Sequence, residues 1–153
     1  MKKHSPFVDL LPSLRALTDG VTDEIALMAT VACELFHGDA RCDWVGFYRV
    51  TAPKVLTIGP YQGGHGCLVI PFERGVCGAA ARSGETQVVD DVHAFAGHIA
   101  CSSSTLSEIV VPLFDARGAV FAVLDIDSDQ PAAFDQADRA VLEAAMAELF
   151  TKA

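Results

Sequence analysis

Thiols, paired carboxylates and loop histidines are the residues of this chain that could do chemistry. Cysteines stand at 33, 42, 67, 77 and 101. Cys101 follows His98 by three residues and precedes Ser102, Ser103 and Ser104. An imidazolium and hydroxyl donors beside sulfur lower a thiol's pKa, which is what a nucleophilic cysteine needs. Cys77 follows Arg74-Gly75-Val76 at the expected start of a short helix, where backbone N–H groups favour a thiolate. Cys67 opens the apolar run Cys67-Leu68-Val69-Ile70-Pro71 and, taken alone, reads as core.

Asp125 and Asp127 alternate along an expected strand, so they point to one face, with Phe121 and Val123. If the preceding hairpin loop is even, Glu108 lies directly opposite Asp125 on that face. Three carboxylates crowded beside apolar side chains cannot all ionise cheaply, so at least one should hold a proton near neutral pH. A type I turn with a Gly bulge at Asp115-Ala116-Arg117-Gly118 would instead shift the pairing by one and turn Glu108 away. Spacing does not choose between these registers, and a solvated acidic strand end is an equal alternative. An Asp-x-Asp metal site finds no nearby His or further oxygen ligand by spacing. His93, His98 and Cys101 match no common zinc pattern and lack a fourth ligand. Trp44 and Tyr48 lie four apart on a strand with Gly46 between them. They read as the aromatic wall of a small pocket or as sheet-to-helix packing.

The elements that must position these groups follow from periodicity. Residues 7–17 predict a short helix. A second runs from an N-cap at Thr22 to Gly38 through Ile25, Met28, Ala32 and Leu35, with Cys33 read as packing. Strands are expected at 42–50, 55–58, 67–71 and 86–89, with a small Ala-rich helix at 75–82 and a long loop at 90–104. Ser107–Phe114 and Ala119–Asp127 read as a hairpin, and a final helix runs from near Asp135 to Phe150. Terminal helices around about six largely antiparallel strands make an α+β domain with one central sheet.

The chain has 153 residues, which favours one domain, and 51% hydrophobic residues, which argues against extended disorder. A net charge of −9 speaks against nucleic acid and anionic membrane as partners, since both require clustered Lys and Arg. No apolar run is long enough to span a bilayer, and the basic start Met1-Lys2-Lys3 leads into Pro6, Asp9 and Pro12 rather than a signal-peptide core. An odd number of cysteines without an export signal reads as thiols in the reducing cytoplasm.

Several stretches together resemble a known family. They are Asp43-Trp44-Val45-Gly46-Phe47-Tyr48, Gly59-Pro60-Tyr61-Gln62-Gly63 and Ile70-Pro71-Phe72-Glu73-Arg74-Gly75-Val76-Cys77-Gly78. Further on stand Gly84-Glu85-Thr86-Gln87-Val88-Val89, Asp91-Val92-His93-Ala94-Phe95-Ala96-Gly97-His98-Ile99-Ala100-Cys101, Ser107-Glu108-Ile109-Val110-Val111-Pro112-Leu113 and Val123-Leu124-Asp125-Ile126-Asp127-Ser128. These resemble the free methionine-(R)-sulfoxide reductases, which are single GAF-domain proteins. The resemblance covers about residues 20–150; the whole of 1–153 is then expected to be one GAF domain, with 1–19 an N-terminal extension or short helix.

What the resemblance implies is thiol-dependent reduction of free methionine-(R)-sulfoxide to methionine. Cys101 matches the nucleophile, Cys67 the principal resolving cysteine and Cys77 a second thiol that resolves or relays the disulfide. Glu108, Asp125 and Asp127 match the acids of the substrate pocket, and Trp44 and Tyr48 its aromatic wall. Cys101 would become a sulfenic acid, condense to an intramolecular disulfide and be recycled by a thioredoxin-type reductant, with no metal or organic cofactor. The chain departs from the family where Ser102 follows the nucleophile in place of the usual Asp, and where Leu106 replaces a polar residue. A non-catalytic GAF sensor and a thiol peroxidase are the competing readings. Cys33 or Cys42 could join two copies, but nothing in the sequence requires a homodimer.

Overall fold

The molecule is organised around Trp44–Ala52 (β1) and Val120–Ser128 (β6), the two middle strands of a six-stranded sheet. The structure is a computed structural model that describes residues 4–99 and 101–150. The basic start Met1-Lys2-Lys3 and Ala100 therefore lie outside the described residues. The remaining strands are Val55–Gln62 (β2), Val69–Pro71 (β3), Gln87–Val89 (β4) and Ser107–Phe114 (β5). The order across the sheet is β3-β2-β1-β6-β5-β4, and every neighbouring pair is antiparallel.

The helices are Leu11–Leu17 (α1), Glu24–Gly38 (α2), Gly75–Ser83 (α3) and Gln136–Phe150 (α4). The expected first helix starts as a 3-10 turn over Pro6–Leu10 before continuing as α1. The N-cap of α2 is Asp23 rather than Thr22: the Asp23 carboxylate accepts from the Ala26 N–H at 2.9 Å. Cys33, expected to pack, is exposed on α2.

β2 and β3 differ most from their expected lengths. β2 runs on to Gln62 because Gly59-Pro60, which reads as a strand end, is absorbed as an irregularity between the pairs Gly46↔Tyr61 and Tyr48↔Ile58. β3 is shorter, so Cys67 lies in the loop before it rather than within the strand.

Strand alternation sends side chains to two different cores. Val45, Phe47, Ile109, Val111, Leu124 and Ile126 face the layer that includes α2 and α4. Trp44, Tyr48, Val110 and Val123 face α3, packing with Val76, Cys77, Ala80 and Ala81. The long segment between β4 and β5 lies on that second side, where Gly75 N–H donates to Gly97 O at 2.8 Å.

One charged network lies outside the α3 face. Arg41 donates to Asp39 at 2.7 Å, to Asp138 at 2.9 Å and to Ala133 O at 2.8 Å. Its guanidinium lies 5.1 Å from the Phe7 ring centroid and 5.2 Å from that of Phe134. Asp138 also accepts from Ser5 Oγ at 2.6 Å, which ties the N-terminal turn to α4. Arg41→Ala would leave two buried carboxylates without their cation. The expected loss is about 3–5 kcal/mol of unfolding free energy. It should appear as a lower urea midpoint at unchanged m-value.

Candidate active site

The site is built on the hairpin of β5 and β6, and its geometry depends on two irregularities. Asp115 N–H donates to Ala119 O at 2.8 Å, and Gly118 closes the turn with φ +80°, a left-handed conformation that a β-carbon disfavours. This is the Gly-bulge turn, and alone it would point Glu108 away from the aspartates. A second shift follows at once: Phe114 pairs with Val120 but Leu113 with Ala122, which leaves Phe121 unpaired. Two one-residue shifts restore the original parity. Glu108 thus shares a face with Asp125 and Asp127.

Its cross-strand partner, however, is Asp127 and not Asp125, which faces Val110. Phe121 also differs from expectation. It leaves the acidic face and packs towards the α4 side, 6.4 Å from the Phe150 ring.

On the other side of β6, β1 supplies the wall. Trp44 pairs with Asp127, Gly46 with Asp125 and Tyr48 with Val123. Trp44 stacks on Tyr48 at 5.9 Å and on Tyr61 at 5.4 Å, and its indole N–H donates to Gly64 O at 2.8 Å. A β-carbon at Gly46 would run into the Trp44 ring, so the small residue lets the indole lie flat.

These side chains close around a cavity of about 240 Å³. Trp44, Tyr48, Cys77, Cys101, Glu108, Asp125 and Asp127 all line it. Cys67 does not, but it is joined to Cys101 by a disulfide with 5.3 Å between the Cα atoms. Sequence reasoning missed Thr105, a buried residue on the cavity wall, and the stacking of Tyr61 on Trp44. Tyr61 was visible only as part of a glycine- and proline-containing stretch, and Thr105 gave no signal.

Glu108 and Asp125 are buried, at 6% and 5% exposed, and Asp127 is half-buried. Burial is the first cause that pushes all three carboxyls well above their ordinary range, and their mutual repulsion adds to it. Asp125 Oδ1 and Asp127 Oδ1 have no hydrogen-bond partner. Among the described residues, no ion pair joins any of the three to a basic side chain.

Cys77 departs from the expected thiolate. Burial and the neighbouring Asp125, Glu108 and Asp127 push its thiol well up, overriding the favourable helix start. With Cys101 held in the disulfide, burial and His93 lower the His98 pKa. Ser102, at the position where the family usually carries Asp, presents a neutral side chain to the cavity, with its Oγ 3.1 Å from that of Ser104. Leu106 contributes through its backbone: its N–H donates to Ser128 O at 2.8 Å and its carbonyl accepts from Val92 at 3.0 Å.

The arrangement therefore joins a dithiol–disulfide couple to a dry reservoir of carboxyl protons. It can accept an oxygen atom on sulfur, deliver protons to it, and remove it by closing the disulfide.

Comparison with known proteins gives a consistent result. A family model described as a GAF domain matches residues 20–149. The chain is 38% identical to the free methionine-R-sulfoxide reductase of Escherichia coli, covering 97% of this chain and 89% of that protein. It is 37% identical to the free methionine-R-sulfoxide reductase of Saccharomyces cerevisiae, covering 99% and 87%. The X-ray structure of free methionine-R-sulfoxide reductase from Neisseria meningitidis in complex with its substrate superposes with a TM-score of 0.87 at 41% identity, covering 94% of this chain and 87% of that one.

The acid cluster makes stability depend on pH with a definite sign. Carboxyls whose folded pKa is raised hold protons that the unfolded chain gives up above about pH 4. Their contribution is full below that pH and is lost as pH rises through the folded values. Asp125→Asn removes one such group. It should raise the thermal midpoint at pH 8 by about 2–8 °C, equivalent to about 1–2 kcal/mol, and flatten the decline between pH 5 and pH 8. Calorimetry across that range checks both.

Proposed function

The chain belongs to the GAF-domain family and, within it, to the free methionine-R-sulfoxide reductases, and on that footing we propose that it reduces free L-methionine-(R)-sulfoxide to methionine. The observation that carries the reading is the Cys67–Cys101 disulfide at a cavity whose floor is Glu108, Asp125 and Asp127. A catalytic dithiol in its oxidised form beside buried carboxylic acids is what this chemistry leaves after one turnover.

In the reduced protein the Cys101 sulfur attacks the sulfoxide sulfur. A carboxyl of the acid cluster protonates the sulfoxide oxygen, making that sulfur electrophilic. The oxygen passes from the substrate sulfur to the Cys101 sulfur as the new S–S bond between them breaks, which leaves a sulfenic acid on Cys101 and methionine with its sulfur reduced by two electrons. Cys67 then attacks the sulfenic sulfur, forms the disulfide and releases the oxygen as water. Cys77, on the same cavity wall, is the second thiol that can take this step.

The remaining carboxylate charge holds the substrate ammonium, which selects a free amino acid. Trp44 and Tyr48 pack the methyl–sulfur end. An external dithiol of the thioredoxin type restores the two thiols by exchange. The reading places the protein in the cytoplasm, where thiols are kept reduced; an odd number of cysteines and the lack, among the described residues, of a helix long and apolar enough to cross a membrane support this. All the groups named stand within one chain, so the chemistry asks for no second copy.

Cys101→Ser should abolish methionine formation. Cys67→Ser should release roughly one methionine per chain and then stall, unless Cys77 takes over. Rapid-quench counting of methionine from the free R and S diastereomers, with thioredoxin as reductant, tests the reading. Full multiple turnover by Cys101→Ser would refute it, and equal consumption of the S diastereomer would refute the stereochemical part.

A further inference from the structure

Beyond the dithiol couple, the cavity floor holds a second grouping. Cys77 Sγ, a Glu108 carboxylate oxygen and an Asp125 carboxylate oxygen all lie within 4.8 Å of one another. We propose that these three atoms form a binding site for a thiophilic divalent cation, Zn²⁺ foremost, which occupies the cavity floor and blocks it.

The donor set is the first argument. Tetrahedral zinc, at about 2.3 Å to sulfur and about 2.0–2.2 Å to oxygen, holds its ligands ~3.4–3.6 Å apart. The three atoms need to close by little more than ~1 Å, within the reach of side-chain rotation. One sulfur with two oxygens suits Zn²⁺ or Co²⁺ and gives no advantage to Mg²⁺ or Ca²⁺, which want oxygen alone.

The second argument is independent of the grouping itself. Asp125 is only 5% exposed, lines the cavity, and has one oxygen with no hydrogen-bond partner. No basic side chain pairs with that buried oxygen among the described residues. A cation there would supply the missing partner to two carboxylates at once. Cys77, Glu108 and Asp125 all face the same cavity, which gives an ion its way in.

The fourth position is open to water or to Asp127, whose own Oδ1 is also unpartnered. Neither Cys67 nor Cys101 is a ligand, so the site exists while those two are bonded to each other. Binding rests on this geometry alone; the expectation that it stops turnover rests on the reductase reading.

The test uses Co²⁺ as an optical probe on the whole chain with the Cys67–Cys101 bond intact. One equivalent should bind, with the near-ultraviolet band of a thiolate–cobalt bond, and Zn²⁺ should displace it. The band should vanish in Cys77→Ser and persist in Cys33→Ser. Asp125→Asn keeps the thiol and should bind Co²⁺ at least about tenfold more weakly. It serves as the control if Cys77→Ser folds poorly. No band in the folded wild-type protein, or a band that survives in Cys77→Ser, overturns the proposal, as does unchanged affinity in Asp125→Asn.

In a separate arm, with thioredoxin as reductant, Zn²⁺ should raise the KM for methionine sulfoxide and leave kcat unchanged. An unchanged KM with zinc bound overturns the block. No methionine formed by the zinc-free protein would defeat the reductase reading and leave the cobalt result standing.

Discussion

Glu108 and Asp125 are buried on the α3 side of the sheet with Asp127 half-buried beside them, and among the described residues no basic side chain pairs with any of the three. That constraint orders much of the molecule. An ionised carboxylate buried without a partner costs several kcal/mol, so these groups keep protons that exposed acids would have lost. The other buried carboxylates show the usual solution. Asp39 and Asp138 are clamped by Arg41, which is itself held between two phenyl rings. One charged cluster is neutralised by a built-in cation and contributes stability; the other is left short of one and stores protons. Stability given up at the second cluster keeps protons beside the cavity that Cys77 and Cys101 also line.

Bringing the acids together requires a register that no simple rule for a hairpin would give. Alternation alone fixes that Asp125 and Asp127 share a face, and this was legible because a strand's period is two. The bulge at Gly118 was legible too, since Asp115 and Gly118 suit that turn. The second bulge was not. Its extra residue, Phe121, is an apolar side chain in an apolar strand, and nothing in its type marks it. What betrays it is tertiary: displaced from the acidic face, its ring meets Phe150. An even loop with no shift puts Glu108 on the correct face but opposite Asp125, and only both shifts together give its partner Asp127.

The thiols separate local from long-range information in the same way. Cys77 has a local environment that favours a thiolate and a tertiary environment that forbids one. Burial beside three acids outweighs a few backbone N–H groups, because the helix-end effect is screened and short-ranged whereas desolvation is not. Cys67 looked like core from its apolar neighbours, yet Leu68 and Val69 beside it are 70% and 59% exposed. The run is an edge segment whose outward residues find no layer to cover them. That places Cys67 where it can meet Cys101. The pairing of these two came from resemblance and not from spacing, since a sequence separation of 34 and the elements β3, α3 and β4 lie between them.

The disulfide also couples the redox state to the cover of the cavity. Between β4 and β5 the chain is tied to the rest of the molecule by Ala132 N–H to Asp90 O, Gly75 N–H to Gly97 O, Leu106 N–H to Ser128 O and the Cys67–Cys101 bond. A cross-link with a sequence separation of 34 removes about 3–4 kcal/mol of chain freedom from the unlinked ensemble. Cys101 is an exposed residue that also lines the cavity, so this link anchors part of the cavity wall. Breaking it frees the Cys101 sulfur and removes a covalent tie between the segment that carries it and the loop before β3. On the proposed reading, the bond that closes after each turnover is thus also one that holds part of the cavity wall in place.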